Sequence, residues 1–285
     1  MSSSAVAKQS SKARRRAWTR PLGYAAVILL IIVVMFPFLW LLIMSFKPDE
    51  LIAAWPPVLF FQPTLEHYAA LFGGQYQRSF TNSTIVGVTT TVLSLLFGVP
   101  ASYTLSRSRI RGQGPIALWI LATRMAPPIA FTIPFFLVYQ RLDWLDTLHG
   151  LVIVYLTFNL SLVIWMMRTF FDSIPRVLEE AALIDGASVW GTFLRVILPL
   201  SAPGLAATAI FTFLFSWNDF FYALILTRTK SMTAPVAVVN FMTYEGWEWG
   251  NIAAGGTMVM LPVVIFSLLV RNYLVRGLTA GAVKG

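Results

Sequence analysis

The histidines are the first residues to consider for acid–base or metal chemistry, because an imidazole can carry a proton near neutral pH or bind a metal ion. The chain has two, His67 and His149, and neither is paired with another histidine or a cysteine at metal-ligand spacing. The sequence also contains no cysteine and no Gly-x-x-x-x-Gly-Lys-Ser/Thr segment to hold the phosphates of ATP. We therefore predict that this chain is not an enzyme and holds no metal or cofactor of its own.

Two ionisable residues, Arg124 and Asp219, lie inside long apolar stretches. A charge at bilayer depth costs at least about 2.5–3.5 kcal/mol unless it faces protein, water or a partner. Arg124 belongs to the segment RMAPP, whose prolines disturb a helix and free its carbonyls, so this segment predicts a broken helix that lines a pathway. Asp219 follows Trp217 and Asn218, a group that suits either sugar binding or helix packing, and both interpretations remain open.

Asn82 and Asn159 are further polar residues within apolar stretches. Such side chains can face a pathway, although they more commonly hydrogen-bond membrane helices to one another. We predict that a translocation pathway includes Arg124, Asn82, Asn159, Trp217, Asn218 and Asp219.

The composition and the apolar runs of the sequence indicate which kind of secondary structure positions these residues. Hydrophobic residues make up 57% and charged residues only 12% of 285 residues, and the mean hydropathy is +0.72; a soluble core of this size could not bury so much apolar surface. Apolar runs of about 20 residues, enough to cross a bilayer, occur six times. They lie near 22–46, 80–106, 115–140, 149–169, 204–226 and 251–270. The sequence predicts an all-α polytopic membrane protein with six transmembrane helices, forming one domain over 22–285 after a disordered basic segment, 1–21.

The positive charges predict the orientation of these helices. If the N-terminus is cytoplasmic, fifteen of the 21 Lys and Arg residues fall on the cytoplasmic side, as is typical of membrane proteins. Both termini are then cytoplasmic. The net charge of +9 is explained by this distribution along the inner leaflet, so no nucleic-acid partner is predicted.

Aromatic residues collect in the loop between the fifth and sixth runs, on the opposite side. They include Tyr244, Trp247 and Trp249. Trp and Tyr often form a belt at the depth of the lipid head groups, which is the more common reason for such a cluster. A surface that faces a sugar is the alternative.

A charged connection between the fourth and fifth runs, about 171–203, is the most specific segment of the sequence, and we call it the EAA loop. Its spacing predicts a short helix after Pro175, a left-handed turn at Gly186 and a second helix capped by Ser188. The first helix has an apolar side and carries Glu179, Glu180 and Asp185. A helix lying on anionic lipid prefers Lys and Arg, so the acidic charge favours docking to a protein.

The residues EAA at 180–182, then Asp185-Gly186-Ala187, and then Ile197-Leu198-Pro199 resemble the cytoplasmic loop of binding-protein-dependent ABC transporter permeases. Further segments similar to this family are SFK at 45–47, NS at 82–83, LDT at 145–147 and WND at 217–219. The closing GLTAGAVKG, 277–285, resembles carbohydrate permeases of the maltose-permease-like branch with six spans.

The resemblance implies that the EAA loop forms coupling helices that dock on a cytoplasmic ATPase. The coupling residues would be Glu179, Glu180, Ala181, Ala182, Asp185, Gly186 and Ala187. The terminal residues Gly281, Ala282, Val283, Lys284 and Gly285 would reach the ATPase interface. The same resemblance implies a second permease subunit, two copies of the ATPase with its ATP and Mg, and an extracytoplasmic solute-binding protein.

These observations predict a multi-pass permease of the bacterial cytoplasmic membrane that imports a sugar or polyol. A permease for another small polar solute, such as an amino acid or polyamine, is the alternative within the family. An ion-coupled secondary transporter is the alternative from another class, although it would more often show several intramembrane carboxylates or a duplicated half.

Overall fold

The computed structural model describes residues 3–108, 111–125, 127–244 and 246–282, with side chains between residues 23 and 269 of those ranges. Its regular structure is almost entirely helical, which confirms the predicted fold class. The helices are α1 Ser3–Ser45, α2 Asp49–Ile52, α3 Glu66–Phe72, α4 Gln75–Arg107, α5 Gln113–Met125, α6 Pro128–Arg141, α7 Leu148–Ser173, α8 Val177–Ile184, α9 Val189–Thr192, α10 Leu198–Leu200, α11 Ala202–Trp217, α12 Phe221–Leu226, α13 Ala234–Val239 and α14 Trp249–Ala282. A π-helical turn, Phe193–Ile197, joins α9 to α10, and β1 Met242–Thr243 pairs antiparallel with β2 Gly246–Trp247.

The described residues contain four helices that are long and apolar enough to cross a membrane. They are Gly23–Ser45, Gln75–Arg107, Leu148–Ser173 and Trp249–Leu269. Two bent helix pairs raise the number to six if each pair is one span: α5 with α6, bent by 87°, and Val189–Leu200 with Ala202–Trp217, bent by 78°. The predicted number of six is therefore the upper end of what the helices allow.

The third and fifth predicted spans are each interrupted. Within RMAPP, α5 ends at Met125 and α6 begins at Pro128, and Pro127 before it is in an extended conformation; a proline has no N–H to continue the helical hydrogen-bond ladder. The fifth span, predicted as 204–226, divides into α11 and α12 around residues 218–220. The predicted break in RMAPP is confirmed. The break near Asp219 is not predicted by the sequence, because no proline marks it.

Helix α1 begins at Ser3, within the basic segment for which the composition predicts disorder. Ala, Lys and Arg in this segment are good helix formers, so the helix can continue upstream of its apolar part. The part of α1 suited to the membrane begins at Gly23.

Helices α4, α7 and α11 form the centre of the structure, and small residues let them approach closely. A Cβ atom added to Gly98 of α4 would lie 2.6 Å from a methyl carbon of Val163 in α7. One added to Gly204 of α11 would lie 2.4 Å from the ring of Phe170. Small residues at such crossings are the usual means of tight helix packing in membranes. Helices α4, α7 and α11 are therefore tightly packed against one another.

At the end of the bundle opposite the EAA loop, the Asp146 carboxylate binds a chain segment distant in sequence. It accepts hydrogen bonds from the backbone N–H groups of Arg228 (2.9 Å), Ser231 (3.0 Å), Lys230 (3.1 Å) and Thr229 (3.3 Å). Burial alone raises the pKa of the Asp146 carboxyl, but these hydrogen bonds outweigh it and lower the pKa from 3.8 to about 2. The carboxylate therefore fastens the loop 227–231 to the start of α7.

Asp146→Asn should lower the stability of the protein at neutral pH, because the amide cannot replace these charged contacts. The pKa of the Asp146 carboxyl is lower in the folded protein than in the unfolded chain. Its contribution to the free energy of unfolding is therefore complete above about pH 4 and is lost as the pH falls through about 2. Its size is at most about 2 kcal/mol, since the group is partly exposed and solvent screens it. Thermal unfolding of the detergent-purified wild type and variant at pH 7 and pH 3 measures this. Equal melting temperatures at pH 7 would contradict the assignment.

Candidate functional site

The EAA loop folds as two short helices joined by a tight turn, as the spacing predicts. Gly186 has a φ of +86°, the left-handed conformation that favours glycine. The turn is closed by hydrogen bonds from Gly186 N to Leu183 O (3.1 Å) and from Ala187 N to Ala182 O (3.0 Å). Ser188 Oγ then accepts from Gly191 N at 3.1 Å and caps α9. The predicted bend and cap are both confirmed.

The apolar side of this loop is exposed rather than packed on the bundle. The exposed fractions are 68% for Val177, 86% for Ile184, 64% for Val189 and 55% for Trp190. Contiguous apolar surface at the end of a membrane protein is typical of an interaction site. We call these four residues the docking face.

Val189 does not lie on the buried face that Phe193 and Ile197 form. Phe193 and Ile197 are buried, with exposed fractions of 2% and 0%, whereas Val189 is exposed. From Phe193 the helix changes to a π turn, which has more residues per turn and shifts the positions that share a face. The π turn therefore anchors the loop, whereas Val189 and Trp190 in the first part of α9 stay exposed.

Glu179, which the resemblance places among the coupling residues, is held inside the chain. Its Oε1 lies 2.5 Å from Arg107 Nε at the end of α4, and each side chain is only 12% exposed. Tyr103 donates its hydroxyl to Glu179 Oε2 at 3.2 Å, and Arg107 Nη2 donates to the carbonyl of Ile174 at 2.9 Å. We call Tyr103, Arg107 and Glu179 the α4–α8 latch.

The next residue, Glu180, is exposed, as are Ala181, Asp185 and Gly186. Glu179 and Glu180 therefore differ in environment despite being adjacent: the carboxylate of Glu179 binds α4, and that of Glu180 lies on an exposed residue. The contact of Glu179 with Tyr103 and Arg107 was not predicted, because Arg107 reads in the sequence simply as a positive charge at the end of a span.

A second set of contacts supports the latch from the neighbouring segments. Ser106 Oγ donates to Asp172 Oδ1 at 2.5 Å, and Arg176 Nη2 donates to the carbonyl of Ser106 at 3.3 Å. The end of α4 is thus bound to the residues on both sides of the turn that leads into α8. Displacement of α8 would be transmitted to α4.

Two of the residues predicted for the pathway, Asn82 and Asn159, are buried and bonded within the chain. Asn82 Nδ2 donates to the carbonyls of Lys230 and Met232, both at 3.0 Å. Asn159 Nδ2 donates to Ser216 Oγ at 2.9 Å, which joins α7 to α11. These contacts favour the packing role that sequence reasoning kept open.

Asp219 caps the helix that follows it. Its Oδ1 accepts from the hydroxyl of Tyr155 at 2.8 Å and from the backbone N–H groups of Tyr222 (3.2 Å) and Ala223 (3.3 Å). These bonds satisfy the first turn of α12, where the fifth span is interrupted. Of the two interpretations of Asp219, the contacts favour helix packing.

The other three predicted pathway residues differ in exposure. Trp217 is buried and donates Nε1–H to the carbonyl of Val259 at 3.0 Å. The guanidinium of Arg124 lies over the ring of Phe215, 4.4 Å from its centroid. Asn218 is exposed. Arg124 and Asn218 make no side-chain hydrogen bond with any residue that the structure describes, and their pathway role stays a prediction.

Asp219→Ala should lower stability rather than substrate affinity. Removing the carboxylate leaves the Tyr155 hydroxyl and two backbone N–H groups without their acceptor, at a cost of about 1–3 kcal/mol. We expect a melting temperature several degrees lower and an unchanged apparent KM for uptake. The melting temperature of Asp219→Asn, which retains one acceptor oxygen, should lie between those of Asp219→Ala and the wild type. A raised KM at unchanged melting temperature would instead assign Asp219 to substrate binding.

Of the predicted C-terminal contact residues, Gly281 and Ala282 lie in the last turn of α14. Val283, Lys284 and Gly285 lie outside the described residues. The predicted contact of this tail with an ATPase stays a prediction.

Comparison with known proteins decides the family. Residues 92–280, which include the whole EAA loop, match the family described as "Binding-protein-dependent transport system inner membrane component". The chain belongs to this family. It is therefore a multi-pass inner-membrane permease of the ABC importer class and not an enzyme.

Individual relatives match the permease over nearly its whole length. It is 38% identical over 253 residues to the trehalose transport system permease protein SugB of Mycobacterium tuberculosis, covering 87% of this chain and 92% of that protein. It is 33% identical over 277 residues to the trehalose/maltose transport system permease protein MalG of Thermococcus litoralis, covering 95% of this chain and 99% of that protein. The predicted resemblance to carbohydrate permeases is confirmed.

Among solved structures, the permease is similar to a chain of a bacterial ABC transporter involved in the import of the acidic polysaccharide alginate. The TM-score is 0.75 at 26% sequence identity, over 89% of this chain and 96% of that one. The arrangement of helices described above is therefore the arrangement of this class of permease.

Proposed function

We propose that this permease forms one half of a heteromeric pore that imports a carbohydrate or polyol, driven by ATP hydrolysis on a separate cytoplasmic subunit. The observation that carries the proposal is the exposed docking face of the EAA loop, which is joined to the membrane helices by the α4–α8 latch. Such a loop can receive a displacement from a partner and pass it to α4.

The proposed complex contains a second permease subunit, two copies of the ATPase with ATP and Mg, and an extracytoplasmic solute-binding protein. The EAA loop faces the cytoplasm together with both termini, an orientation supported by the positive charges near it. The loops that contain Asp146 and residues 227–248 then face the outside.

The mechanism that we propose is mechanical. ATP binding closes the ATPase dimer, and the docking face moves with the cleft in which it sits. The α4–α8 latch transmits this movement to α4, while Phe193 and Ile197 of the π turn transmit it to α7 and α11 through the cluster that also contains Tyr103 and Phe171. The helices change from inward-facing to outward-facing, and the solute leaves its binding protein.

The cargo is proposed from relatives named for the transport of trehalose and of trehalose/maltose. The test is uptake of radiolabelled trehalose, maltose and sorbitol by cells with and without the gene for this chain. We expect uptake of at least one of them that ceases on ATP depletion and survives a protonophore when ATP is maintained. Uptake that a protonophore abolishes and ATP depletion spares would favour a secondary transporter, and uptake of an amino acid or polyamine alone would overturn the carbohydrate assignment.

A further inference from the structure

A cavity of about 410 Å³ lies at the end of the permease opposite the EAA loop. Its walls come from α2 and from the hairpin that precedes α14. The lining residues include Asp49, Ile52, Thr243, Trp247, Glu248 and Trp249. The volume falls in the range of small-molecule sites, about 300–1,000 Å³.

The walls are held in place by a buried histidine. His67 is only 4% exposed, and its Nε2 lies 2.9 Å from the carbonyl oxygen of Lys47. The His67 ring also packs so closely on Gly250 that a Cβ atom there would overlap it. His67 thus brings the segment before α2 against the first turn of α14, which places Asp49 beside Trp249.

The chemistry of the lining is that of a site for polyhydroxylated ligands. The rings of Trp247 and Trp249 are 4.8 Å apart between centroids at an angle of 50°, and both are about half exposed. An indole face can stack on the C–H face of a sugar ring, because both are apolar and flat. Carboxylates of Asp49 and Glu248 accept hydrogen bonds from hydroxyl groups. The Glu248 carboxylate is held in position by Asn251 Nδ2 at 2.6 Å.

We infer that this cavity binds a neutral carbohydrate or polyol on the outer face of the permease, before or during its transfer from the solute-binding protein. The inference rests on the proposed carbohydrate import. It names Trp247 and Trp249 as stacking residues and Asp49 and Glu248 as hydrogen-bond acceptors.

A belt of aromatic residues at the depth of the lipid head groups explains this arrangement less well than a binding site does. Belt residues need only lie at the right depth, whereas here two indole rings and two carboxylates meet in one concave site formed by segments distant in sequence. A basic amine could also bind between carboxylates and aromatic rings. The test therefore includes one.

The test is saturation-transfer difference NMR on the purified permease complex in lipid nanodiscs, without the solute-binding protein. The probes are trehalose, maltose and sorbitol, with spermidine as the basic amine. We expect a signal from the carbon-bound protons of at least one of the three carbohydrate probes, with binding about tenfold weaker in Trp247→Ala and in Trp249→Ala. Trp55→Ala is the matched control, because Trp55 is an exposed indole in the loop after α2, outside the cavity lining. It should bind as the wild type does.

Binding that is equal in all three variants overturns the inference, as does stronger binding of spermidine than of any of the three carbohydrate probes. Parallel uptake measurements separate this inference from the proposed function. A probe that is taken up by cells but gives no NMR signal overturns the inference that the cavity binds it, and leaves the proposed carbohydrate import standing. A signal lost in both cavity variants, for a probe that is not taken up, supports the cavity and counts against carbohydrate import.

Discussion

Gly186→Pro should abolish coupled uptake while leaving the permease inserted in the membrane. Proline fixes φ at about −65°, but the turn requires +86°, and proline lacks the N–H that Gly186 donates to Leu183 O. Either defect alone disrupts the turn, and together they cost about 3 kcal/mol or more. The docking face would then lose its alignment, and we expect uptake to fall about tenfold or more.

Two milder substitutions at the same position provide matched controls. Apart from the two chain neighbours of Gly186, no described residue has an atom within 4 Å of a Cβ added there, so the effect of a substitution comes from the backbone and not from crowding. Alanine in the left-handed region costs about 1–2 kcal/mol, whereas asparagine tolerates it better. Uptake should therefore decrease in the order Gly, Asn, Ala, Pro at equal membrane levels on immunoblots. Equal uptake in all four would show that the turn geometry does not matter for coupling.

Glu179→Ala should uncouple ATP hydrolysis from transport. The substitution removes the acceptor of Arg107 Nε and of the Tyr103 hydroxyl, both of which lie in a largely buried site. Breaking one side of a buried ion pair costs about 3–5 kcal/mol, because the other charge is left without compensation. With Glu180 and the docking face intact, the ATPase should still bind, but movement of α8 would no longer reach α4. We expect copurification of the ATPase with uptake reduced about tenfold or more.

Exchanging the charges of Arg107 and Glu179 distinguishes loss of the ion pair in the latch from a general loss of stability. Arg107→Glu and Glu179→Arg should each impair uptake, and the double variant should recover part of it, because the opposite charges are restored in reversed order. Glu180→Ala is the comparison at the neighbouring position and should instead weaken ATPase copurification. If Glu179→Ala loses the ATPase as Glu180→Ala does, Glu179 contacts the partner and the latch has no separate role.

The bend of the EAA loop could be predicted because its signals are local. A glycine after an amphipathic helix and a serine before the next one determine the turn and the cap within a few residues. The latch could not be predicted in this way, because Arg107 and Glu179 are 72 positions apart and meet only when α4 packs against the EAA loop. A family resemblance locates Glu179 in the loop but does not tell which way its side chain points.

The residues predicted for the pathway show the same difference between what the sequence indicates locally and what only the folded contacts reveal. Sequence hydropathy locates Asn82, Asn159 and Asp219 inside the spans, but their hydrogen-bond partners lie on other helices or distant loops. A polar residue that packs helices and one that faces a solute look alike in the sequence. The break at Asp219 was missed for a related reason: the cap that stabilises α12 includes Tyr155 from α7, far along the chain.

Binding of the docking face to the ATPase can be tested directly by crosslinking, because the sequence contains no cysteine and a single thiol can be introduced. Ile184→Cys places a single thiol at a position that is 86% exposed, where a benzophenone maleimide can be attached and photolysed in native membranes. Tyr244→Cys, at the exposed outer hairpin, is the matched control. We expect the adduct at 184 to contain the nucleotide-binding subunit and the adduct at 244 to lack it. A transport-active, fully labelled Ile184→Cys variant that never crosslinks to an ATPase, or an ATPase adduct at 244, would contradict binding of the ATPase by the docking face.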